Sequence, residues 1–155
     1  MRAEEATTVM TKDQLTADEA QAWAEFEELL ASVPEERLET PAFDGGWSVM
    51  DVLWHIAFWW DDMSRAAQHG WADDDQETDD VNAREQAKSR VLPYVEVRAE
   101  LDDARARLLE TWASVGADDE EGKAFFLSET IEHYEEHAPQ LRSLVEDPNV
   151  KARGA

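Results

Sequence analysis

One stretch, Gly45 to Trp60 (GGWSVMDVLWHIAFWW), constrains the fold more than any other part of the chain. After two glycines and a tryptophan, Ser48 and Asp51 have the spacing of a helix capping box. The residues that follow are mainly apolar, and the stretch holds four of the seven tryptophans in the chain. A helix of this composition belongs in a core, and the histidine within it, His55, therefore needs a partner there.

Length and charge limit the architecture and the partners. A chain of 155 residues can bury one sizeable core, and we predict a single domain over 11–147 with flexible ends at 1–10 and 148–155. The chain has 37 acidic and 14 basic residues, a net charge of −23. A surface this acidic repels phosphate, so we expect neither nucleic-acid binding nor docking to an anionic membrane. No apolar run is long enough to predict a transmembrane helix.

The absence of cysteine from the chain excludes disulfides, thiolate nucleophiles and cysteine-ligated metals. The first residues, MRAEEATTVMTKDQ, contain no apolar segment of the kind that marks a secretory signal. We therefore expect a cytoplasmic protein.

Apolar residues recur at helical spacing in four long segments. These segments run from about Thr11 to Ser32, Ser48 to Gln68, Pro93 to Val115 and Glu121 to Val145. Residues 79–90 read as a short helix or helical lead-in with Asp79 or Asp80 as its cap. No segment alternates with period two, so we expect no sheet. The pattern predicts an all-α four-helix bundle with a long acidic connection between helices 2 and 3.

Three of the four histidines fall on helix faces that point inward. His133 and His137 are four residues apart, so both imidazoles lie on one face of the fourth helix. His55 lies at the edge of the apolar stripe of the second helix. Taken alone, His55 could be a core histidine bonded to a carbonyl, and the pair could reflect chance spacing. All three together favour a metal site.

Three neutral imidazoles without cysteine suit a borderline divalent ion, with zinc or nickel preferred and iron or cobalt as alternatives. Three protein ligands leave coordination positions open for water or substrate, which is typical of a reactive site rather than a structural one. Such an ion lowers the pKa of bound water or polarises a carbonyl. The pattern does not identify a catalytic acid or base.

Other polar candidates have simpler explanations. The capping box explains Asp51 without a role as a ligand. Glu129 and Glu136 could accept hydrogen bonds from the ligating histidines or act as a base, but solvated acids are the simpler interpretation. We expect Asn82 to cap a turn rather than to bond within the site. His69 precedes a C-cap glycine, where a cation suits the helix dipole.

The tryptophans of the second helix allow several interpretations. Trp54, Trp59 and Trp60 cannot all face one way, because they lie within seven consecutive positions. Some of them could pack in the core, others line an apolar pocket, and others cover the interface of a homodimer.

Two histidine motifs carry a resemblance to a known family. They are Gly46-Trp47-Ser48-Val49 with Asp51-Val52-Leu53 and His55, and Glu132-His133-Tyr134-Glu135-Glu136-His137. The chain resembles the DinB-like (DinB/YfiT-type) four-helix bundle superfamily from about Thr11 to Val145. Within it, the chain is most similar to the colibactin self-resistance (ClbS/DfsB) branch and to the N-terminal domain of mycothiol-dependent maleylpyruvate isomerase. Asp80-Val81-Asn82 also matches these branches.

The resemblance implies a metal site formed by His55, His133 and His137. It also implies a small-molecule substrate, which undergoes either thiol-dependent transfer or isomerisation, with a low-molecular-weight thiol, or hydrolytic detoxification. One departure is Pro139 in the fourth helix, which should bend the helix because it removes a backbone hydrogen bond. Two alternatives on the same bundle are a protein that sequesters a small molecule without turnover and a dimeric interaction module.

Overall fold

The computed structural model describes residues 10–71 and 78–146, and within them the chain is all-α. The helices are α1 (Lys12–Ala31), α2 (Val49–His69), α3 (Thr78–Ser89), α4 (Tyr94–Ser114), α5 (Glu120–Glu129) and α6 (Ile131–Glu146). Two short 3₁₀ helices, Glu35–Arg37 and Asp44–Gly46, lie in the connection between α1 and α2. The described residues form no β-strand, which confirms the all-α prediction, although they contain more helices than the four expected.

Helix α2 lies at the centre of the packing. Its capping box forms as predicted, because Ser48 Oγ accepts from the Asp51 backbone N–H and Asp51 Oδ2 accepts from that of Ser48. It packs most extensively against α4. The facing residues are fully buried: Val52, Leu53, Ile56 and Met63 from α2, and Val97, Leu101, Ala104 and Leu108 from α4. The apolar stripes of these two helices therefore account for their association.

Helices α1 and α6 pack against each other on another side of α2. Trp23 and Phe26 of α1 contact the ring of Tyr134, and Trp60 of α2 meets both Trp23 and Tyr134 edge-on. Tyr134 also donates a hydrogen bond to the buried carboxylate of Glu19. This aromatic cluster fixes the face that α6 presents to α1.

The expected fourth helix is divided in two. The sequence predicts one helix from Glu121 to Val145, but α5 ends and α6 begins at Thr130, whose φ and ψ are −117° and −92°. The Thr130 hydroxyl and backbone N–H both donate to the Phe126 carbonyl. This local competition for a carbonyl marks the break where no glycine or proline does. The expected bend at Pro139 does not end the helix, since α6 continues through it.

The connection between α2 and α4 contains helix α3, in agreement with the short helix expected there. The helix begins at Thr78, so Asp79 and Asp80 lie in its first turn and neither is its cap. Acidic residues in the first turn stabilise a helix through its dipole. Their effect is thus favourable although their predicted position was wrong.

Helix α3 packs against α2 through two tryptophans. Trp54 Nε1 donates to Glu85 Oε1 at 3.0 Å, and Trp59 Nε1 donates to Asn82 Oδ1 at 2.9 Å. Trp60 is fully buried in the core. All three tryptophans therefore pack within the chain, and the homodimer expected from a surplus of tryptophans stays a prediction.

Several predictions concern residues that lie at the ends of the described ranges or outside them. The predicted flexible ends, 1–10 and 148–155, lie outside the described residues except for Met10, which packs against the core. Residues 72–77 of the acidic connection also lie outside them. Among the described helices, none combines the length and the apolar character that crossing a bilayer requires.

Candidate metal centre

Three histidines from two helices converge on one point. His55 comes from α2, and His133 and His137 come from successive turns of α6. His55 Nε2 lies 3.0 Å from His133 Nε2, and one ring nitrogen from each histidine lies within 4.8 Å of the other two. His133 and His137 are 7% and 8% exposed. The structure thus brings together the three histidines that the sequence singles out.

The glycines before α2 shape one wall of this cluster. Gly45 and Gly46 have φ values of 79° and 77°, in the left-handed region that favours glycine. This turn lets the carbonyl of Trp47 accept from the backbone N–H of Phe43. It places the Trp47 ring against His55, at 5.4 Å between ring centroids and an interplanar angle of 82°. The glycine pair therefore positions an aromatic cover over the first histidine.

Burial keeps two of the three imidazoles, those of His55 and His133, uncharged. Loss of hydration lowers the pKa of His55 to about 4, with the neighbouring His137 acting in the same direction and a hydrogen bond with Asn82 partly opposing it. Loss of hydration, followed by the proximity of His137 and His55, lowers the pKa of His133 to about 3. Both imidazoles are neutral at pH 7, which is the form that binds a metal ion.

The hydrogen bonding leaves two buried ring nitrogens of the cluster without a partner. His137 Nδ1 bonds Gln140 Oε1 at 2.7 Å, whereas the buried Nε2 of His137 has no hydrogen-bond partner. His133 Nδ1 is also buried without a hydrogen-bond partner, and Glu129 Oε1 lies 4.0 Å from it. A buried polar atom without a partner is costly, and a cation shared by the three histidines would satisfy His137 Nε2.

The spacing and the donor chemistry also fit a metal ion. Two ligand nitrogens at 2.0–2.1 Å from a tetrahedral ion are about 3.3 Å apart, close to the 3.0 Å between His55 Nε2 and His133 Nε2. Three imidazoles suit zinc, nickel, iron or cobalt. The residues present therefore fit a divalent ion.

A cavity of about 280 Å³ opens onto the cluster. His55, His133 and Trp59 line it together with the polar residues Asn82, Ser128, Glu129 and Glu136. A slightly larger groove of about 320 Å³ lies between α1 and α6, but its lining includes no histidine. Of these two, the cavity beside the histidines combines space for a ligand with side chains that can bind a metal ion.

The other candidate residues lie as follows. Asp51 caps α2 and accepts from Ser89 Oγ, in agreement with the capping interpretation. His69 is exposed at the end of α2, outside the histidine cluster. Glu129 and Glu136 both line the cavity. The expectation that Asn82 caps a turn is wrong, since it lies inside α3 and accepts from Trp59 beside His55.

Sequence reasoning missed Gln140, which bonds His137 directly. The signal was present, because residues three apart on a helix are neighbours on its surface. The spacing alone does not identify Gln140 as a partner of His137, because Pro139 lies between them and leaves the course of the helix there uncertain from sequence.

The family model of the DinB superfamily matches residues 20–143, a span that includes all three histidines and well over half of the chain. Comparison with curated proteins and with solved structures gives no match.

Proposed function

Because the chain belongs to the DinB superfamily, we propose that it is a divalent-metal-dependent enzyme acting on a small molecule, with His55, His133 and His137 as the metal ligands. One observation carries this proposal: three imidazole nitrogens lie within 4.8 Å of one another. The buried, partnerless Nε2 of His137 supports it, because a structural cluster without an ion would leave that atom unsatisfied.

The surrounding residues hold and shield the site. Zinc or nickel is the proposed ion, with iron or cobalt as alternatives, and when bound it supplies an activated water or a polarised carbonyl. Trp47 and Trp59 meet the His55 ring edge-on and exclude water from its sides. Asn82 holds Trp59 in place through its side-chain oxygen. The open side is the cavity, where a substrate would meet the histidine cluster.

The lining of the cavity indicates the class of substrate. Two carboxylates, Glu129 and Glu136, line it, and its described lining includes no lysine or arginine. Such a lining attracts cationic and tolerates neutral molecules, and it repels dianions. We therefore favour a small, neutral or cationic electrophile over a dicarboxylic acid of the maleylpyruvate type.

Two reaction classes suit this arrangement. One is hydrolytic detoxification, as in the colibactin self-resistance branch that the chain resembles. The other is transfer of a low-molecular-weight thiol to an electrophile, as in the thiol-dependent branch. The carboxylate lining favours hydrolysis, since a thiolate approaching the cavity would add a further negative charge.

Metal analysis of protein purified without a histidine tag tests the proposal. After incubation with zinc or nickel and removal of free metal, we expect about one ion per chain, since the three ligand nitrogens lie within 4.8 Å of one another. The variant His133→Ala should lose this binding, whereas His69→Ala, which changes an exposed histidine outside the cluster, should keep it. Less than about 0.2 ion per chain in the unmodified protein would contradict the proposal, given one site of three ligands.

Turnover separates an enzyme from a sequestering protein built on the same cavity. A small electrophilic ester or epoxide, supplied in excess over metal-loaded protein, should be converted over many cycles. Stoichiometric uptake of the probe without product would favour sequestration instead.

A further inference from the structure

We propose that Gln140 is a positioning residue that fixes His137 in the tautomer that presents Nε2 to the metal. The inference rests on the proposed metal site but concerns a residue outside its ligand set. Gln140 thereby determines which nitrogen of His137 binds the metal, since either ring nitrogen of a neutral imidazole can do so.

The contact between His137 and Gln140 determines which ring nitrogen of His137 carries the proton. His137 Nδ1 lies 2.7 Å from Gln140 Oε1, and the two residues are one helical turn apart on α6. An amide oxygen only accepts hydrogen bonds, so His137 Nδ1 must carry the proton. A neutral imidazole has a single N–H, which leaves a free lone pair on Nε2. That nitrogen is buried and has no hydrogen-bond partner.

The opposite orientation of the Gln140 amide is disfavoured by the buried position of His137 Nε2. If the Gln140 amide were turned so that its NH₂ group donated to Nδ1, the His137 proton would move to Nε2. The buried Nε2–H would then need an acceptor, and the structure provides none. Burial of an unsatisfied donor is costly, so the observed orientation is the one that the site can accommodate.

One of the other two histidines has a partner of the same kind, because His55 shares a hydrogen bond with Asn82. His133 differs, since its Nδ1 lies 4.0 Å from the Glu129 carboxylate and has no hydrogen-bond partner. Side chains that bond a ligating histidine orient it and strengthen it as a ligand. Gln140 supplies such a bond to His137, and as a neutral acceptor it does so without adding a buried charge.

Two variants with opposite chemistry test the assignment. Gln140→Leu keeps the approximate size but removes the acceptor, whereas Gln140→Glu keeps an acceptor at the same position. Gln21→Leu is the matched control, because Gln21 is an exposed helical glutamine that donates to Glu25 of the same helix. Thermal unfolding confirms that each variant is folded before it is compared.

The first measurement is the tautomer of His137 in metal-free protein, read from ¹⁵N NMR of the histidine side chains. The chain has four histidines, so single replacements assign the signals. We expect the Nδ1–H form in the unmodified protein, in Gln21→Leu and in Gln140→Glu, and a shift towards Nε2–H in Gln140→Leu. An Nε2–H form in the unmodified protein, or an unchanged tautomer in Gln140→Leu, overturns the assignment.

The second measurement is zinc affinity, determined by competition with a chelating dye. Gln140→Leu should weaken binding by about 10–100-fold, the usual effect of removing a partner of a ligating histidine. Gln140→Glu should keep the affinity or strengthen it, and an affinity of Gln140→Leu equal to that of Gln21→Leu overturns the proposal. If the unmodified protein binds no zinc, the proposed function fails, while the tautomer still tests Gln140 in metal-free protein.

Discussion

Two buried polar clusters meet helix α6 on neighbouring residues, and they differ in how completely they are satisfied. Around Tyr134, the guanidinium of Arg105 bonds both oxygens of Glu19, and the Tyr134 hydroxyl donates to the same carboxylate. Glu19 is only 1% exposed. Around His133, by contrast, Nε2 shares a hydrogen bond with His55 Nε2, while His133 Nδ1 and His137 Nε2 are buried without a partner.

The difference separates a structural cluster from a binding site. In the Glu19–Arg105–Tyr134 cluster each charge is neutralised within the protein, so it needs nothing further. In the histidine cluster three ring nitrogens converge, and His137 Nε2 among them has no hydrogen-bond partner. Polar groups that are buried but incompletely satisfied are costly and therefore mark functional sites. We therefore expect substitution within the Glu19–Arg105–Tyr134 cluster to lower the stability of the fold, and substitution within the histidine cluster to abolish metal binding.

The largest expected effect comes from breaking the structural cluster. Arg105→Met leaves the carboxylate of Glu19 buried without its partner, so the free energy of unfolding should fall by about 3–5 kcal/mol. Arg107→Met is the matched control, because Arg107 pairs with Asp61 on the surface, and it should cost at most about 1 kcal/mol. Urea unfolding measures both. Equal losses would mean that burial does not distinguish these ion pairs.

The next largest effect is stabilisation of the fold by added metal, which should depend on the histidine cluster alone. Zinc or nickel at about 100 times its dissociation constant should raise the free energy of unfolding by about 2.7 kcal/mol, because it binds only the folded chain. Arg107→Met should retain this increase and His137→Gln should lose it. Thermal unfolding with and without metal gives the comparison. An equal increase in His137→Gln would place the binding elsewhere.

Acid should destabilise the metal-free protein through the histidines. The folded-state pKa values of His55 and His133, about 4 and about 3, lie below the ordinary value of 6.5. The unfolded chain therefore binds protons that the folded one does not, and stability falls as the pH drops from about 6.5 towards 4. Between pH 7 and pH 5 the loss should be roughly 2 kcal/mol for each of the two histidines.

The variant His133→Gln isolates this contribution, because it removes one titrating group and leaves the many carboxylates unchanged. Its unfolding free energy should fall less between pH 7 and pH 5 than that of the unmodified protein. Parallel profiles for the two proteins would contradict the burial of a neutral His133.

The smallest effect concerns the charge of the cavity. Glu136→Gln should change the free energy of unfolding by less than about 0.5 kcal/mol, since the residue is exposed. It should reduce the preference of metal-loaded protein for glycine hydroxamate over succinate monohydroxamate by about 2–5-fold, the scale of one screened charge. The two probes share a chelating group and differ in charge. An unchanged preference would remove Glu136 from the account of substrate class.

The sequence predicted the parts of this architecture that depend on local patterns. The stripe of Val52, Ile56 and Met63 predicted the buried face of α2, and the capping box of Ser48 and Asp51 predicted its beginning. The convergence of the histidines followed from their inward positions on two helices. These inferences succeed because helical periodicity relates spacing along the chain to direction in space.

Features that depend on distant contacts were not predictable in this way. Glu19, Arg105 and Tyr134 are far apart in sequence, and nothing in their local patterns pairs them. The expectation that Asn82 caps a turn was wrong because its side chain instead accepts a hydrogen bond from Trp59, a contact made where α3 packs on α2. The break at Thr130 arises from a threonine hydroxyl that bonds a carbonyl, an option open to most helical threonines.

The most direct test of the central claim is X-ray absorption at the zinc edge of protein purified without a tag and loaded with one equivalent of zinc. The account predicts about three histidine nitrogens at 2.0–2.1 Å, with the remaining position filled by a light atom from solvent. The same spectrum should be obtained for His69→Ala and lost for His55→Ala. A shell made only of oxygen, or failure to retain the zinc, would contradict a metal centre formed by His55, His133 and His137.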